Sequence, residues 1–396
     1  MRFDLCVIGG CGHVGLPLSI AFALRGKRVA VFDIDRDASS RVGRGEMPFI
    51  EQGGERDLRA ALASGRLEVG SSPDVIGESD AVVLVVATPI DSHMSPSFKA
   101  IDDVLASYRS QFHDGQLLIL RSTLYPGTSA RVARWLVENG LKMDVAVCPE
   151  RVSQGQGLVE IFSLPQIISS FSAEGLARVR ELFSVLTKDL VEMKPIEAEL
   201  TKLFTNAWRY IKFAVANQYY MIANEMGADF DAIYNGITHN YPRAIDLPGP
   251  GFAAGPCLFK DTMQLASYSK NQFWIGHAAM LVNEGLPQYV VGALRRSVGD
   301  LSGKTIGILG MAFKAEVDDP RDSLSYKLKS LLELETGSVL CSDPYVREAG
   351  LVPAEDLVDR SDLILIGTPH KLYKQLDFHG KRVIDVWNLL GKGTAL

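Results

Sequence analysis

Leu5-Cys6-Val7-Ile8-Gly9-Gly10-Cys11-Gly12-His13-Val14-Gly15 decides the fold. Its apolar start reads as a buried parallel strand, because a strand covered on both faces is apolar throughout rather than alternating. The strand runs into Gly10-x-Gly12-x-x-Gly15, and helical sequence follows to about Arg25. Glycines at this spacing permit a tight turn and let backbone N–H groups approach a pyrophosphate at the helix N-terminus. A second strand, 28–32, ends at Asp33, 18 residues after Gly15. A carboxylate there accepts bonds from the ribose hydroxyls of NAD and repels the 2′-phosphate of NADP. Gly10, Gly12, Val14, Gly15 and Asp33 are therefore expected to hold NAD. Cys11 and His13 fall at variable positions and read as structural. A glycine turn without a ligand is the alternative.

Further buried strands are expected at 81–87, 116–120 and 144–147, with helical sequence between them. Alternating strands and helices imply a doubly wound parallel sheet. Near Glu197 the texture turns helical and stays so to about Arg296, apart from a Gly/Pro-rich interruption at 248–256. Residues 197–226 can form one long helix, suited to an interdomain spine and a dimer surface. From Gly303 a second α/β unit begins, with strands at 305–309, 339–342, 363–367 and 383–386. Its order of strand, Gly310, helix, strand, Asp343 echoes the N-terminal unit. The expected fold class is α/β, two doubly wound Rossmann-like domains joined by a central helical region with a long spine helix. The expected division is 1–196, 197–300 and 301–396, with two ligands meeting in a cleft.

The chain's 396 residues are too many for one hydrophobic core. A hydrophobic fraction of 47% with 22% charged residues describes an ordinary globular protein. The formal net charge of −6 argues against nucleic-acid and anionic-membrane partners, while leaving room for a basic pocket. No signal-peptide pattern opens the sequence, and no apolar run approaches the ~18 residues that span a bilayer. The five cysteines, Cys6, Cys11, Cys148, Cys257 and Cys341, are scattered and odd in number. Neither a disulfide framework nor a thiolate metal site is expected, and reducing cytoplasm is the natural location.

One of these cysteines stands apart. Cys257 lies in Gly249-Pro250-Gly251-Phe252-Ala253-Ala254-Gly255-Pro256-Cys257-Leu258-Phe259-Lys260-Asp261, where a glycine-rich loop can expose it and neighbouring charges can tune it. A buried cysteine at a helix start is the alternative. Upstream, Lys202 and Asn206 stand four apart and share one helical face, so they can aim together at a developing oxyanion. A solvent-facing lysine is the alternative there.

Together these features resemble the UDP-glucose/GDP-mannose dehydrogenase family of nucleotide-sugar 6-dehydrogenases, nearly end to end. Thr88-Pro89 matches the family's Thr-Pro, whose threonine borders the cofactor. Arg121-Ser122-Thr123 is similar to its Lys-Ser-Thr, which implies that Thr123 lies by the cofactor and orients the hydrolytic water. Cys148-Pro149-Glu150-Arg151 resembles the segment carrying its active-site glutamate, here Glu150. Lys202 and Asn206 match Lys-x-x-x-Asn, and Cys257 with Asp261 matches Cys-Phe-x-Lys-Asp. Gly310-Met311-Ala312-Phe313-Lys314 and Asp319-Pro320-Arg321-Asp322-Ser323 are similar to its Phe-Lys and Asp-x-Arg-x-Ser, implying Lys314 on the substrate nucleotide and Arg321 on the cofactor or across the cleft. Two departures stand out. Ala253, Ala254 and Pro256 replace the usual small loop residues before the cysteine, and Gln154 stands where UDP-glucose enzymes carry a second glutamate. Cys148-Pro149-Glu150-Arg151 and Asn240-Tyr241-Pro242-Arg243, with Arg243 fourteen residues before Cys257, resemble the UDP-N-acetylhexosamine branch.

The resemblance implies NAD-dependent four-electron oxidation of the C6 alcohol of a UDP-sugar to a uronate, through a thiohemiacetal and a thioester on Cys257, in a homodimer. Lys202, Asn206, Asp261, Thr123 and Glu150 would serve the chemistry, and Lys202, Asn206, Arg243, Gly251 and Lys314 the substrate. A single-step β-hydroxyacid dehydrogenase and a non-catalytic NAD- or sugar-binding protein are the rival readings. The first needs neither Cys257 nor a second α/β domain.

Overall fold

In the computed structural model, which describes residues 1–88 and 97–394, the opening run forms strand β1, Phe3–Ile8. Among the described residues, β1 joins β2 (Val29–Phe32), β3 (Leu67–Gly70), β4 (Ser79–Leu84), β5 (Leu117–Leu120) and β6 (Asp144–Val147) in one sheet. The order is β3-β2-β1-β4-β5-β6 with every pair parallel. This is the doubly wound dinucleotide-binding arrangement, and the order reverses between β1 and β4. Side chains divide by parity between two buried layers. Leu5, Val7, Val29, Val31, Val83 and Ile119 pack to one side; Cys6, Ile8, Ala30, Phe32, Val82 and Leu118 pack to the other. Burial on both faces explains the unbroken apolar sequence. The helix Gly15–Leu24 is buried from Gly15 to Ala23, which fixes its N-terminus against the sheet.

Three short strands do not stand out in the sequence. β3 mixes buried Leu67 with exposed Glu68, while β7 (Gln166–Ile168) and β8 (Leu190–Glu192) are three residues each and form a separate parallel pair. β4 ends at Leu84 rather than at 87, because Val86 leaves the ladder and donates its N–H to Ser122 Oγ at 2.8 Å.

The chain divides into two compact units, Met1–Thr205 and Asn206–Leu396, and the boundary falls within the spine helix Pro195–Glu225. In the second unit four parallel strands follow the order β10-β9-β11-β12, from β9 (Thr305–Leu309), β10 (Ser338–Ser342), β11 (Leu363–Ile366) and β12 (Arg382–Ile384). The helices of 206–300 share a core with this sheet: Tyr220, Leu286, Val290 and Leu294 pack with Ile306, Ile308, Leu324 and Leu328. That common burial is why the central helices and the second sheet form one unit. No helix among the described residues is long and apolar enough to cross a membrane.

Candidate active site

At the reversal point of the first sheet, the glycine turn leaves no room for side chains at Gly10 and Gly15. A Cβ on Gly15 would lie 2.4 Å from the Gly9 carbonyl oxygen, and one on Gly10 would lie 2.7 Å from that of Val7. Asp33 receives the Cys11 N–H at 2.9 Å on Oδ2 and the Asp35 N–H at 3.0 Å on Oδ1. A carboxylate has about four acceptor sites, so Asp33, half-buried at the end of β2, retains acceptors for a ribose diol. The residues present therefore fit a dinucleotide. Cys11 is buried, with Sγ 3.6 Å from Ser39 Oγ, in keeping with a packing role. His13 stacks on Phe49 and lies 3.3 Å from Gln154 across their Nε2 atoms.

The neighbouring strand ends carry the other expected residues of this unit. Thr88 Oγ1 donates to the Thr123 carbonyl at 2.6 Å, tying the ends of β4 and β5 together; Pro89 lies outside the described residues. Glu150 is buried and ion-paired with the fully buried Arg121. Its other oxygen accepts the N–H groups of Arg151 at 2.7 Å and Val152 at 3.0 Å. Arg121 also donates to the Cys148 carbonyl at 2.9 Å and to Gln166 Oε1 at 3.0 Å. Both carboxylate oxygens of Glu150 are thus occupied by donors. This ties residues at the ends of β5, β6 and β7 into one rigid group. Lys202 is half-buried on the spine helix, one turn before Asn206.

In the second unit, Asn206 is buried and donates from Nδ2 to Asp261 Oδ2 at 2.6 Å. Lys260 Nζ lies 2.9 Å from Asp261 Oδ1. Cys257 caps the helix Leu258–Tyr268 and is exposed. The other four cysteines are buried, and burial raises their thiols: Cys6 and Cys148 to about 12, Cys11 and Cys341 to about 11. Cys257 alone is exposed, at the N-terminus of a helix. Arg321 is held on Asp319 by contacts of 2.5 to 3.1 Å. That hydrogen bonding and the charge of Asp319 raise its guanidinium above the usual range, with Cys257 a smaller contributor. Lys314 is half-buried, five residues after Leu309 ends β9. Arg243 is exposed, with Nη1 3.4 Å from the Tyr241 hydroxyl. Gly251 is buried, and its N–H is already bound to Asn217 Oδ1 at 2.8 Å.

The two sheets use their matching carboxylates differently. Asp343, at the end of β10, accepts N–H groups from Met311, Ala312, Tyr345 and Val346 and meets His370 Nε2 at 3.2 Å. Burial works to raise this carboxyl, but His370 and the backbone donors outweigh it and hold it at about 2. Asp343 is thus consumed in bracing the loop that carries Phe313 and Lys314, whereas Asp33 stays available to a ligand.

Residues 3–187 match the NAD binding domain of the UDP-glucose/GDP-mannose dehydrogenase family, 196–284 its central domain and 307–392 its UDP binding domain. The chain belongs to this family. A UDP-N-acetyl-D-mannosamine dehydrogenase of Pyrococcus horikoshii is 30% identical over 96% of this chain and 94% of its own length. One from Yersinia pestis is 28% identical over 98% of this chain and 100% of its own. Among solved structures, a UDP-glucose dehydrogenase from Pyrobaculum islandicum superposes with a TM-score of 0.90 at 28% identity, covering 97% of this chain and 94% of its own.

This NAD-dependent nucleotide-sugar dehydrogenase therefore carries a UDP binding domain that the single-step reading does not require. Two partners of its strand-end group, Gln166 and the Arg121–Glu150 pair, escape sequence reasoning. Arg121 is 29 residues from Glu150 and 45 from Gln166, and only the tertiary fold brings them together. The one available signal was an arginine inside an otherwise buried-type strand end.

Asp33 also sets an expected cofactor preference. A 2′-phosphate against this carboxylate is a like-charge contact costing several kcal/mol, so kcat/KM for NAD should exceed that for NADP by at least about 10²-fold. Arg36 opens the helix Arg36–Gly43 nearby and is exposed. Equal kcat/KM for the two cofactors would mean that Arg36 neutralises the phosphate.

Proposed function

We propose that this dehydrogenase oxidises the C6 alcohol of a UDP-N-acetylhexosamine, with UDP-N-acetylmannosamine the first candidate, and that Cys257 is its covalent nucleophile. The observation that carries the reading is the exposed thiol at the head of the helix Leu258–Tyr268, one turn from Asp261, in a chain whose other cysteines are buried. The sugar assignment rests on the names of the relatives and on Arg243 standing fourteen residues before Cys257. Overall shape does not decide it. A solved UDP-D-N-acetylmannosamine dehydrogenase from Pyrococcus horikoshii also superposes at 0.90 with 28% identity, the same values as the UDP-glucose enzyme.

NAD, when bound by Gly10, Gly12, Val14, Gly15, Asp33, Thr88 and Thr123, supplies the hydride acceptor for each of the two oxidations. The alcohol first loses a hydride and a proton to become an aldehyde. Cys257 Sγ then adds to the aldehyde carbon, and the oxygen takes up a proton to give a thiohemiacetal. Loss of a second hydride and proton leaves a thioester. Water attacks it, the C–S bond breaks, and uronate and thiol are released with one proton. The cysteine is needed because an aldehyde carbon must become tetrahedral before it can release hydride. We assign Lys202 and Asn206 to the oxyanions that form at this carbon. Asp261 receives protons, and Thr123 orients water beside Glu150. Lys314 and Arg243 bind the nucleotide portion, and Arg321 serves the cofactor or the thiolate. In this reading the chain has three functional parts, 1–196, 197–300 and 301–396.

Purified enzyme given NAD and a panel of nucleotide sugars should reduce NAD fastest with UDP-N-acetylmannosamine or UDP-N-acetylglucosamine. Much faster turnover of UDP-glucose would overturn the sugar assignment and leave the reaction class intact.

The reading includes a homodimer. Trp208, Val215, Tyr219 and Ile222 are exposed at spacings of seven, four and three along the spine helix. These spacings place four large apolar side chains on one stripe, as a helix–helix interface requires. Light scattering should give twice the chain mass of 43.3 kDa, and Ile222→Glu should shift it toward the single-chain value. A wild-type monomer at micromolar concentration would refute the dimer. The reading also places the protein in reducing cytoplasm, where Cys257 remains a thiol. Recovery of Cys257 as a disulfide from cells would contradict that placement.

A further inference from the structure

The loop that presents Cys257 is held by two buried amides that none of the assigned roles uses. Asn217, on the spine helix, and Asn283, on the helix Trp274–Val298, are both fully buried. Asn217 Oδ1 accepts the Gly251 N–H at 2.8 Å, and Asn217 Nδ2 donates to the Gly251 carbonyl at 3.0 Å. The same Nδ2 donates to Asn283 Oδ1 at 2.9 Å, and Asn283 Nδ2 donates to the Tyr210 carbonyl at 3.0 Å. Gly251 is thus gripped through both backbone groups by one side chain, whose orientation is fixed by a second.

Burying two amides is costly unless each finds partners, and apolar residues of similar size fill such space with less risk. What this arrangement adds is directional: it fixes one backbone position through both its N–H and its carbonyl. Gly251 is also pressed against Trp387, where a Cβ would lie 2.2 Å from the indole ring. Trp387 is itself anchored by Nε1 donating to the Gly367 carbonyl at 3.1 Å. Near its other end the loop is fixed at Gly255, whose N–H donates to the Asp322 carbonyl at 3.1 Å and whose Cβ would meet Phe313 at 2.3 Å. The buried residues Phe252 and Ala253 lie between these anchors, and two residues past Gly255 stands Cys257. Any slip at Gly251 is therefore carried along a short, packed segment to the thiol.

We infer that Asn217, oriented by Asn283, is a positioning residue that sets the location of Cys257 through the backbone of Gly251. This rests on the nucleophile reading of Cys257. Asn217 acts on the reaction through the loop and touches no reacting atom. Misplacing a reacting group by about 1 Å can cost on the order of 10²-fold in rate. The same geometry gives Gly251 a structural reason to be glycine, independent of any contact with the sugar.

Asn217→Ser removes the two-point grip, since one hydroxyl cannot bridge both backbone groups of Gly251. Asn283→Ser is milder, leaving both Gly251 contacts and releasing only the amide that holds them. The assays are kcat, KM for NAD, and the rate of Cys257 alkylation by iodoacetamide, followed by mass spectrometry of the Cys257 peptide. Asn217→Ser should lower kcat by about 10- to 100-fold with KM for NAD within about twofold, and should alter the alkylation rate, with Asn283→Ser intermediate. The alcohol-to-aldehyde step, measured in a Cys257→Ala background, should be nearly insensitive to Asn217→Ser, because the thiol whose place matters is gone. An equal loss in both backgrounds would make Asn217 merely structural and overturn the inference. So would unchanged kcat and alkylation in the folded variants. If Asn217→Ser does not fold, Asn283→Ser decides by the same criteria. Altered alkylation with unaltered turnover would keep the loop contact and instead remove Cys257 from the chemistry, which is a failure of the nucleophile reading.

Discussion

Cys257→Ala is expected to stop the oxidation at the aldehyde, yielding at most one NADH per sugar where the wild type yields two. The first hydride transfer needs a positioned alcohol, a cofactor and a proton acceptor, and alanine removes none of these. The second needs a tetrahedral adduct at the aldehyde carbon, and no other cysteine can supply the sulfur. Cys6, Cys11, Cys148 and Cys341 are all buried, and burial raises each thiol well above neutrality. Uronate formation should therefore fall by at least about 10³-fold, the scale seen when a covalent nucleophile is removed. Steady-state assays alone would mislead, because alcohol-to-aldehyde equilibrium is unfavourable and bound aldehyde blocks turnover. The decisive experiment starts from the sugar aldehyde, or traps it chemically, and counts NADH against uronate by mass spectrometry. Uronate produced by Cys257→Ala at the wild-type rate would mean that the enzyme oxidises an aldehyde hydrate directly.

The features legible in the sequence share one property: each depends on residues close together along the chain. The strand, glycine turn and helix at 3–24, and Asp33 at the end of the next strand, are fixed by local spacing and full burial, and both appear in the structure. The 31-residue spine helix, Pro195–Glu225, was equally local, and Cys257, expected to be exposed by its glycine-rich loop, is exposed but at a helix start, which belonged to the alternative reading. What was not legible depends on the sheet or on helix packing. The Arg121–Glu150–Gln166 group joins the segments after β5 and β6 to the first residue of β7, and no spacing between 121 and 166 announces it. The Asn217–Asn283 pair joins two helices 66 residues apart. Short strands such as β7 and β8 carry too few residues for a period to emerge. The grouping of the central helices with the second sheet follows from side chains such as Tyr220 and Leu294, which pack on Ile306 and Leu324. Periodicity identifies the buried face of each helix but cannot name its partner.

Lys202→Ala should damage the rate far more than binding. Lys202 is half-buried, and among the described residues no carboxylate forms an ion pair with it. A positive charge so placed serves best where negative charge develops, and the alkoxide and tetrahedral oxyanions of this reaction exist only along the reaction path. An interaction made mainly in the transition state lowers kcat when lost and leaves KM nearly unchanged. Removing one such donor costs on the order of 10²–10³ in rate. Asn206 gives a less clean measurement, although it stands one turn away on the same helix. Its Nδ2 is bound to the fully buried Asp261 at 2.6 Å, so Asn206→Ala would also strip a partner from that carboxylate. Loss of activity in Asn206→Ala would mix oxyanion stabilisation with a disturbed acid, whereas Lys202→Ala isolates the charge. The assay is kcat and KM for the UDP-sugar at saturating NAD, with substrate affinity measured separately by calorimetry on Cys257→Ala protein. Near-normal kcat with a raised KM would reassign Lys202 from the oxyanion to a ground-state anchor for phosphate or ribose, and the oxyanions would then need another cation.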